Sequence, residues 1–167
     1  MTDNPLQPAI FLDRDGVINH DPGDYTKSLS EFKILPTVLK TLRTWHDRGF
    51  ALVLITNQGG LAKGLYTHED VEQIHGFLSS KCAESGAPLT AIYYSPHHPD
   101  FGASLSRKPG PLMIERALAQ HGLDPKRSWM FGDKARDIRC ATGGGVHQGV
   151  LIPVNADLAH WVDLPQL

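Results

Sequence analysis

Short apolar runs alternate along the chain with segments whose apolar residues recur every three or four positions. The runs Ala9–Leu12, Phe50–Thr56, Ala91–Tyr94, Ser128–Phe131 and Gly149–Ile152 predict strands. Between the first two, Val38, Leu39, Leu42 and Trp45 line one face of a helix, with Pro36 at its start and Gly49 just past its end. A second helix opens at Thr67, with Asp70 placed three residues on as in a capping box, and Val71, Ile74, Leu78 and Cys82 form its apolar face. A third starts near Pro111, turns Met113, Ile114, Ala117 and Leu118 inward and ends at Gly122. A fourth, shorter one follows Asp133 and stops at Gly143–Gly145. This β-α-β-α order predicts an α/β fold with a mostly parallel sheet and helices on both faces.

Two stretches escape the pattern: 16–30, a polar turn with His20, Asp21, Pro22, Gly23 and Asp24, and 95–108, a loop containing Pro and Gly. Both leave the same edge of the predicted sheet, and long loops gathered there are usually functional. No repeat or linker interrupts the chain, so 1–167 reads as a single domain. With 167 residues, 41% of them hydrophobic, it can bury a core of its own. Sixteen basic against 18 acidic side chains give a net charge of −2, which argues against a nucleic-acid or acidic-lipid surface. No apolar run reaches membrane-spanning length, and Met1–Pro5 resembles no export signal, so a cytoplasmic monomer is the expectation. Cys82 and Cys140 read as reduced thiols, although sequence leaves a disulfide open.

The chemistry gathers at the ends of the predicted strands. The first delivers Asp13-Arg14-Asp15-Gly16, two carboxylates whose mutual repulsion a divalent cation would offset; an Asp-rich turn is the bland alternative. The second runs into Thr56-Asn57-Gln58-Gly59-Gly60, a hydroxyl, backbone amides and glycines suited to phosphoryl oxygens, or an ordinary turn. Arg107-Lys108-Pro109 closes the loop after the third strand. Its lysine would offset charge on a transferring phosphoryl group and its arginine would take a second phosphate; otherwise it is a solvated basic pair. The fourth ends in Gly132-Asp133-Lys134, with Asp133 a further metal acid or a helix cap, and Asp137 able to position Lys134 or the metal's ligands.

Four signals in this order resemble the motifs of haloacid-dehalogenase-like (HAD) phosphohydrolases. Phe11–Asn19, Thr56–Gly64, Tyr93–Pro99, Arg107–Pro109 and Gly132–Lys134 are similar to the D,D-heptose 1,7-bisphosphate phosphatase and histidinol-phosphatase branch. The resemblance implies a Rossmann-like three-layer sandwich without a large cap domain. It implies a magnesium-dependent phosphomonoesterase that removes the C7 phosphate of a heptose 1,7-bisphosphate, a small phosphorylated sugar. Asp13 would be the nucleophile that forms an aspartyl-phosphate, and Asp15 the acid and base, with Thr56 and Lys108 holding the transferring oxygens. Magnesium would be bound by Asp13, Asp133 and the Asp15 backbone carbonyl; Asp21, Asp24, Asn57, Gln58, Arg107 and Lys134 would contact substrate. An ordinary Asp, with a pKa of about 3.9, is a poor acid at neutral pH, so the site is expected to raise that of Asp15. Histidinol phosphate or another small metabolite is the alternative substrate. A non-catalytic phospholigand-binding protein and a polynucleotide phosphatase are alternatives of other classes.

The chain departs from this branch in the loop before Arg107. Many members hold a structural zinc there with three cysteines and a histidine, where this sequence has Ser95, His97, Ser104 and Ser106. Serine is a poor zinc ligand, so zinc is expected to be absent and the loop to be ordered by shortness and proline. His97 and His98 then read as loop residues or as substrate contacts, and His20 as a surface residue. Gly59 stands where relatives often carry serine.

Overall fold

A computed structural model describes residues 5–167; Met1–Asn4, part of the segment expected to carry no export signal, lie outside the described residues. Five parallel strands, β1 (Ala9–Leu12), β2 (Ala51–Asn57), β3 (Ala91–Ser95), β4 (Trp129–Gly132) and β5 (Gln148–Leu151), form one sheet in the order β3-β2-β1-β4-β5. The middle strand β1 is buried along its whole length, which is why its sequence is a continuous apolar run rather than an alternating one.

The pleat sends alternate residues to opposite faces, and each face has its own core. Ile10, Leu12, Leu52 and Leu54 pack with Leu42 and Trp45 of α1 (Val38–Asp47) and Ile74 and Leu78 of α2 (His68–Glu84). Ala9, Phe11, Val53 and Ile55 pack with Met113, Ile114 and Ala117 of α3 (Leu112–His121) and Cys140 and Ala141 of α4 (Ala135–Gly143). Burying each large aliphatic side chain contributes about 1.5–3 kcal/mol, so truncating a central one such as Leu12 removes a substantial part of a domain's net stability. Cys82 and Cys140 belong to cores on opposite faces of the sheet and are both free, which settles the disulfide question against a bond.

The helices start and stop where their local chemistry requires. Thr67 accepts a hydrogen bond from the Asp70 N–H while Asp70 Oδ2 accepts from the Thr67 N–H, the reciprocal pair the sequence predicts. Differences from expectation are small and have causes. The edge strand β5 is half exposed and starts one residue earlier than its apolar signal. β2 runs on through Asn57, because Thr56 and Asn57 stay in register with Tyr94 and Ser95 of β3. Short 3-10 turns at Leu29–Glu31, Pro99–Phe101, Pro125–Arg127 and Leu158–Trp161 have no periodic signature. The last lies against α1, where the Trp45 indole donates to the Val162 carbonyl at 2.9 Å just beyond it.

From β1 the chain winds outward through β2 and β3, whereas β4 and β5 lie on the other side of β1. The loops leaving the carboxyl ends of β1 and β4 therefore part above the sheet, the place where such folds bind ligands. Asp13 and Asp133 stand at those two ends.

Candidate active site

Asp13 follows β1 directly, and its N–H donates to the Phe131 carbonyl of β4 at 3.0 Å, which fixes the start of the loop. Its Oδ1 accepts from the Arg14 N–H at 2.8 Å and from Lys108 Nζ at 2.7 Å. Lys108 is 1% exposed, so its charge needs partners. It also donates to the Ile55 carbonyl at 2.8 Å and lies 2.7 Å from Oδ1 of the fully buried Asp137. Asp13 and Asp137 thus hold the lysine charged and above its ordinary range, against the opposing effect of burial. Asp13 moves up to about 7, chiefly through burial; Lys108 acts against the rise, and Asp137 and Asp15 add to it.

A carboxylate oxygen of each of Asp13, Asp133 and Asp137 lies within 4.8 Å of the others. Lys108 beside Asp13 and Asp137 and Lys134 beside Asp133 still leave three carboxylates one positive charge short, so the cluster favours a cation. Asp133 Oδ1 is buried without a hydrogen-bond partner among the described residues, an acceptor left open as a hard divalent cation requires. The donor set fits magnesium through Asp13 and Asp133. Asp137 is otherwise occupied: its Oδ2 accepts from the Lys134 N–H at 2.9 Å while its Oδ1 faces Lys108. Gly16, with φ +84°, keeps the mouth open, since a Cβ there would lie 2.9 Å from Asp133 Oδ2.

Asp15 has the opposite surroundings. Its carboxylate accepts from Arg14 Nη2 at 3.1 Å, Asn19 Nδ2 at 3.0 Å and Gln58 Nε2 at 3.1 Å. Burial acts to raise its pKa, but the Arg14 charge and these hydrogen bonds outweigh it and hold the carboxyl below its ordinary range. This corrects the expectation that the local environment raises Asp15. Arg14 itself is 1% exposed and is held by Gln58 Oε1 at 3.1 Å and His75 Nε2 at 3.2 Å. A guanidinium only donates, so His75 Nε2 accepts and the ring proton sits on Nδ1. Burial and then the Arg14 charge press the His75 pKa down to about 3.

The remaining candidates divide. Thr56 is buried beside the site and its Oγ1 accepts from Gln58 Nε2 at 2.9 Å. Gln58 and Asn57, expected to touch substrate, have their amides occupied by the protein. Gln58 joins Asp15, Thr56, Arg14 and Tyr66, while Asn57 Oδ1 accepts the Lys108 N–H at 2.9 Å and its Nδ2 donates to the Lys108 carbonyl at 3.1 Å. Asn57 is therefore what places Lys108. Lys134 pairs with Asp133 and comes within 4.0 Å of Asp21, whose backbone is clamped on both sides by the Asn155 amide. Asp24 is exposed and pairs with Lys27 at 3.2 Å. Arg107 Nη1 donates to the His97 carbonyl at 2.7 Å. A Cβ on Gly59 would meet Arg107 Nη1 at 3.1 Å and His98 Cδ2 at 3.0 Å, so the glycine leaves room for that arginine. In the departing loop, Ser106 Oγ bonds Ser95 Oγ at 3.1 Å and Ser104 Oγ at 3.0 Å. Three of the four positions that resemblance assigns to zinc are thus joined by hydroxyls, an order beyond the expected shortness and proline.

Sequence reasoning missed Arg14, Asn19, Tyr66, His75 and Asn155. Their roles arise from contacts between distant segments, for which only the polar Arg14 and Asn19 beside the carboxylates gave a hint.

A parallel α/β sheet with two carboxylates after its middle strand, a lysine reaching in from the loop after β3 and a further acid after β4 defines a HAD-like phosphohydrolase. The HAD-hydrolase-like family model matches residues 105–161. The D-glycero-β-D-manno-heptose-1,7-bisphosphate 7-phosphatase of Yersinia pestis is 37% identical over 95% of this chain and 94% of its own length. That of Escherichia coli K12 is 36% identical over 95% and 92%. The crystal structure of D,D-heptose 1,7-bisphosphate phosphatase from B. bronchiseptica, complexed with magnesium and phosphate, matches with a TM-score of 0.78. It is 33% identical and covers 86% of this chain and 79% of that one. The chain belongs to the D,D-heptose 1,7-bisphosphate phosphatase family of HAD-like hydrolases, and it is a phosphatase.

Proposed function

We propose that the protein removes the C7 phosphate of D-glycero-D-manno-heptose 1,7-bisphosphate, with Asp13 as nucleophile. The convergence of Asp13, Lys108 and Asp133 at the carboxyl edge of the sheet carries this reading, and the relatives' activity supplies the substrate. Asp13 attacks phosphorus to form an aspartyl-phosphate as the C7 oxygen leaves. Lys108 and Thr56 hold the transferring oxygens, and Asn57 keeps Lys108 in place through its backbone. Bound at Asp13, Asp133 and the Asp15 carbonyl, magnesium would screen the approach of two anions. Asp15 donates a proton to the leaving oxygen and then removes one from the water that hydrolyses the intermediate. Its clamp by Arg14, Asn19 and Gln58 favours the ionised form, suited to the second step. For the first step Asp15 must give up part of that clamp as substrate arrives. Asp21, Arg107 and Lys134 face the sugar and its second phosphate.

The same reading has one catalytic domain acting as a cytoplasmic monomer, with no nucleic-acid or membrane partner; no helix among the described residues is long and apolar enough to cross a membrane. It also has the 95–108 loop held by the Ser95–Ser106–Ser104 hydroxyls without zinc. Stoichiometric zinc in protein purified without added metal would overturn that part.

The test is phosphate release with magnesium from heptose 1,7-bisphosphate, histidinol phosphate and a DNA 3′-phosphate. The expected kcat/KM for the heptose substrate exceeds the others by at least about tenfold, some 1.4 kcal/mol of selectivity. A higher value for either competitor would replace the substrate and leave the chemistry.

A further inference from the structure

Resting on the bisphosphate reading above, we propose that Arg136 is a specificity-determining residue. It is the middle member of a cradle, with Arg107 and Lys134, that holds the substrate phosphate not being cleaved. Arg136 lies in the first turn of α4, between Lys134 and Asp137. The contact of Asp137 with Lys108 at 2.7 Å ties this turn to the end of the 95–108 loop, where Arg107 precedes Lys108. One buried ion pair thus ties the segments that carry Arg107 and Arg136 to each other beside the catalytic cluster.

The charges agree with this placement. Arg107 is held below its ordinary range first by burial and then by the Arg136 charge. Arg136 therefore lies within charge–charge reach of Arg107. The three differ in what balances them. Lys134 has Asp133 and Asp21, whereas Arg107 donates to the His97 carbonyl and, among the described residues, neither arginine has a carboxylate partner. Arg136 Nε is shielded from solvent and has no hydrogen-bond partner among the described residues.

A structural role accounts poorly for this arrangement. Carboxylates are not scarce in a chain of net charge −2, yet the charge of Arg136 acts on Arg107 and, among the described residues, neither is paired with one. An unsatisfied donor and a like-charge contact both destabilise the empty protein, and one anionic ligand relieves both. A phosphate monoester suits the planar, bidentate fork that arginine offers. Lys134 is already balanced by Asp133, so Arg107 and Arg136 supply the uncompensated charge.

The experiment compares heptose 1,7-bisphosphate with heptose 7-phosphate, which lacks the second anion, in the wild type and in Arg136→Gln and Arg136→Lys. In Arg136→Gln the KM for the bisphosphate is expected to rise roughly tenfold, as loss of one charge-assisted contact implies, while its kcat changes by at most about twofold. The monophosphate is expected to lose at most about twofold in kcat/KM, and Arg136→Lys to recover part of the bisphosphate preference. An unchanged preference in Arg136→Gln, or an equal loss on both substrates, overturns the assignment of Arg136 and leaves the proposed function standing. A wild type that does not prefer the bisphosphate overturns the substrate reading and this inference with it.

Discussion

Asp13 and Asp15 are two residues apart, yet their surroundings drive them in opposite directions. Around Asp13 the neighbours are Lys108 and two further acids, Asp133 and Asp137, and burial carries its carboxyl up to about 7. Around Asp15 the neighbours are donors only, Arg14, Asn19 and Gln58, and the carboxyl stays below its ordinary range. The first region is short of positive charge and the second is not. A divalent cation therefore fits beside Asp13, while the proposed mechanism uses Asp15, kept apart from that cluster, for proton transfer. Pairs of titratable groups pushed apart in this way commonly divide a site's roles between them.

The division predicts unequal losses. Asp13→Asn, which keeps shape and removes the nucleophile, is expected to lower kcat by on the order of 10⁴-fold or more in phosphate-release kinetics. A variant within about tenfold of wild type would remove Asp13 from the covalent step. Next in size is Lys108→Met, which leaves Asp13 and the fully buried Asp137 without their shared cation. Breaking a buried pair this way is expected to cost about 3–5 kcal/mol in urea unfolding without metal, and added magnesium to recover part of it. A loss below about 1 kcal/mol would show that the acids do not depend on the lysine.

Much of the Asp13 region was legible in the sequence, because each of its members follows an apolar strand or stands beside the Arg107–Pro109 stretch, and strand ends are what periodicity locates best. The parallel sheet, four helices, Asp13, Asp133 and Lys108 all came from that signal. The Asp15 region was not legible. Arg14, Gln58, Tyr66 and His75 lie on three separate segments and meet only after β1, β2 and α2 have packed. Gln58 and Asn57 were located without the protein groups their amides meet, since a strand-end amide can face substrate or protein with the same residue pattern. Arg136 escaped notice because a single arginine in a first helical turn has no periodicity of its own.

Gln58→Leu probes the clamp on Asp15. The substitution removes a donor to Asp15 and to Thr56 and an acceptor of the Tyr66 hydroxyl, so about 2 kcal/mol of stability is expected to be lost. With one donor gone, the Asp15 pKa rises, and steps that need its ionised form fade at a higher pH than in the wild type. The acid limb of kcat should move upward in pH; a downward or absent shift would detach Gln58 from Asp15.

The smallest expected effect tests the outer support of the same clamp. His75 is 7% exposed and neutral, with its pKa at about 3 in the folded protein against an ordinary 6.5. The unfolded chain therefore takes up a proton below about pH 6.5 that the folded chain refuses down to about pH 3. Stability from this residue is complete above that window and falls as the pH drops through it. Between about pH 7.5 and about pH 5.5 the loss is about 1.4 kcal/mol. His75→Gln keeps an acceptor for Arg14 Nη1 and removes the titration, so its unfolding free energy should decline less over this range by about that amount. Parallel stability curves would place the His75 proton in the folded state too, and Arg14 would then need another acceptor to hold it against Asp15.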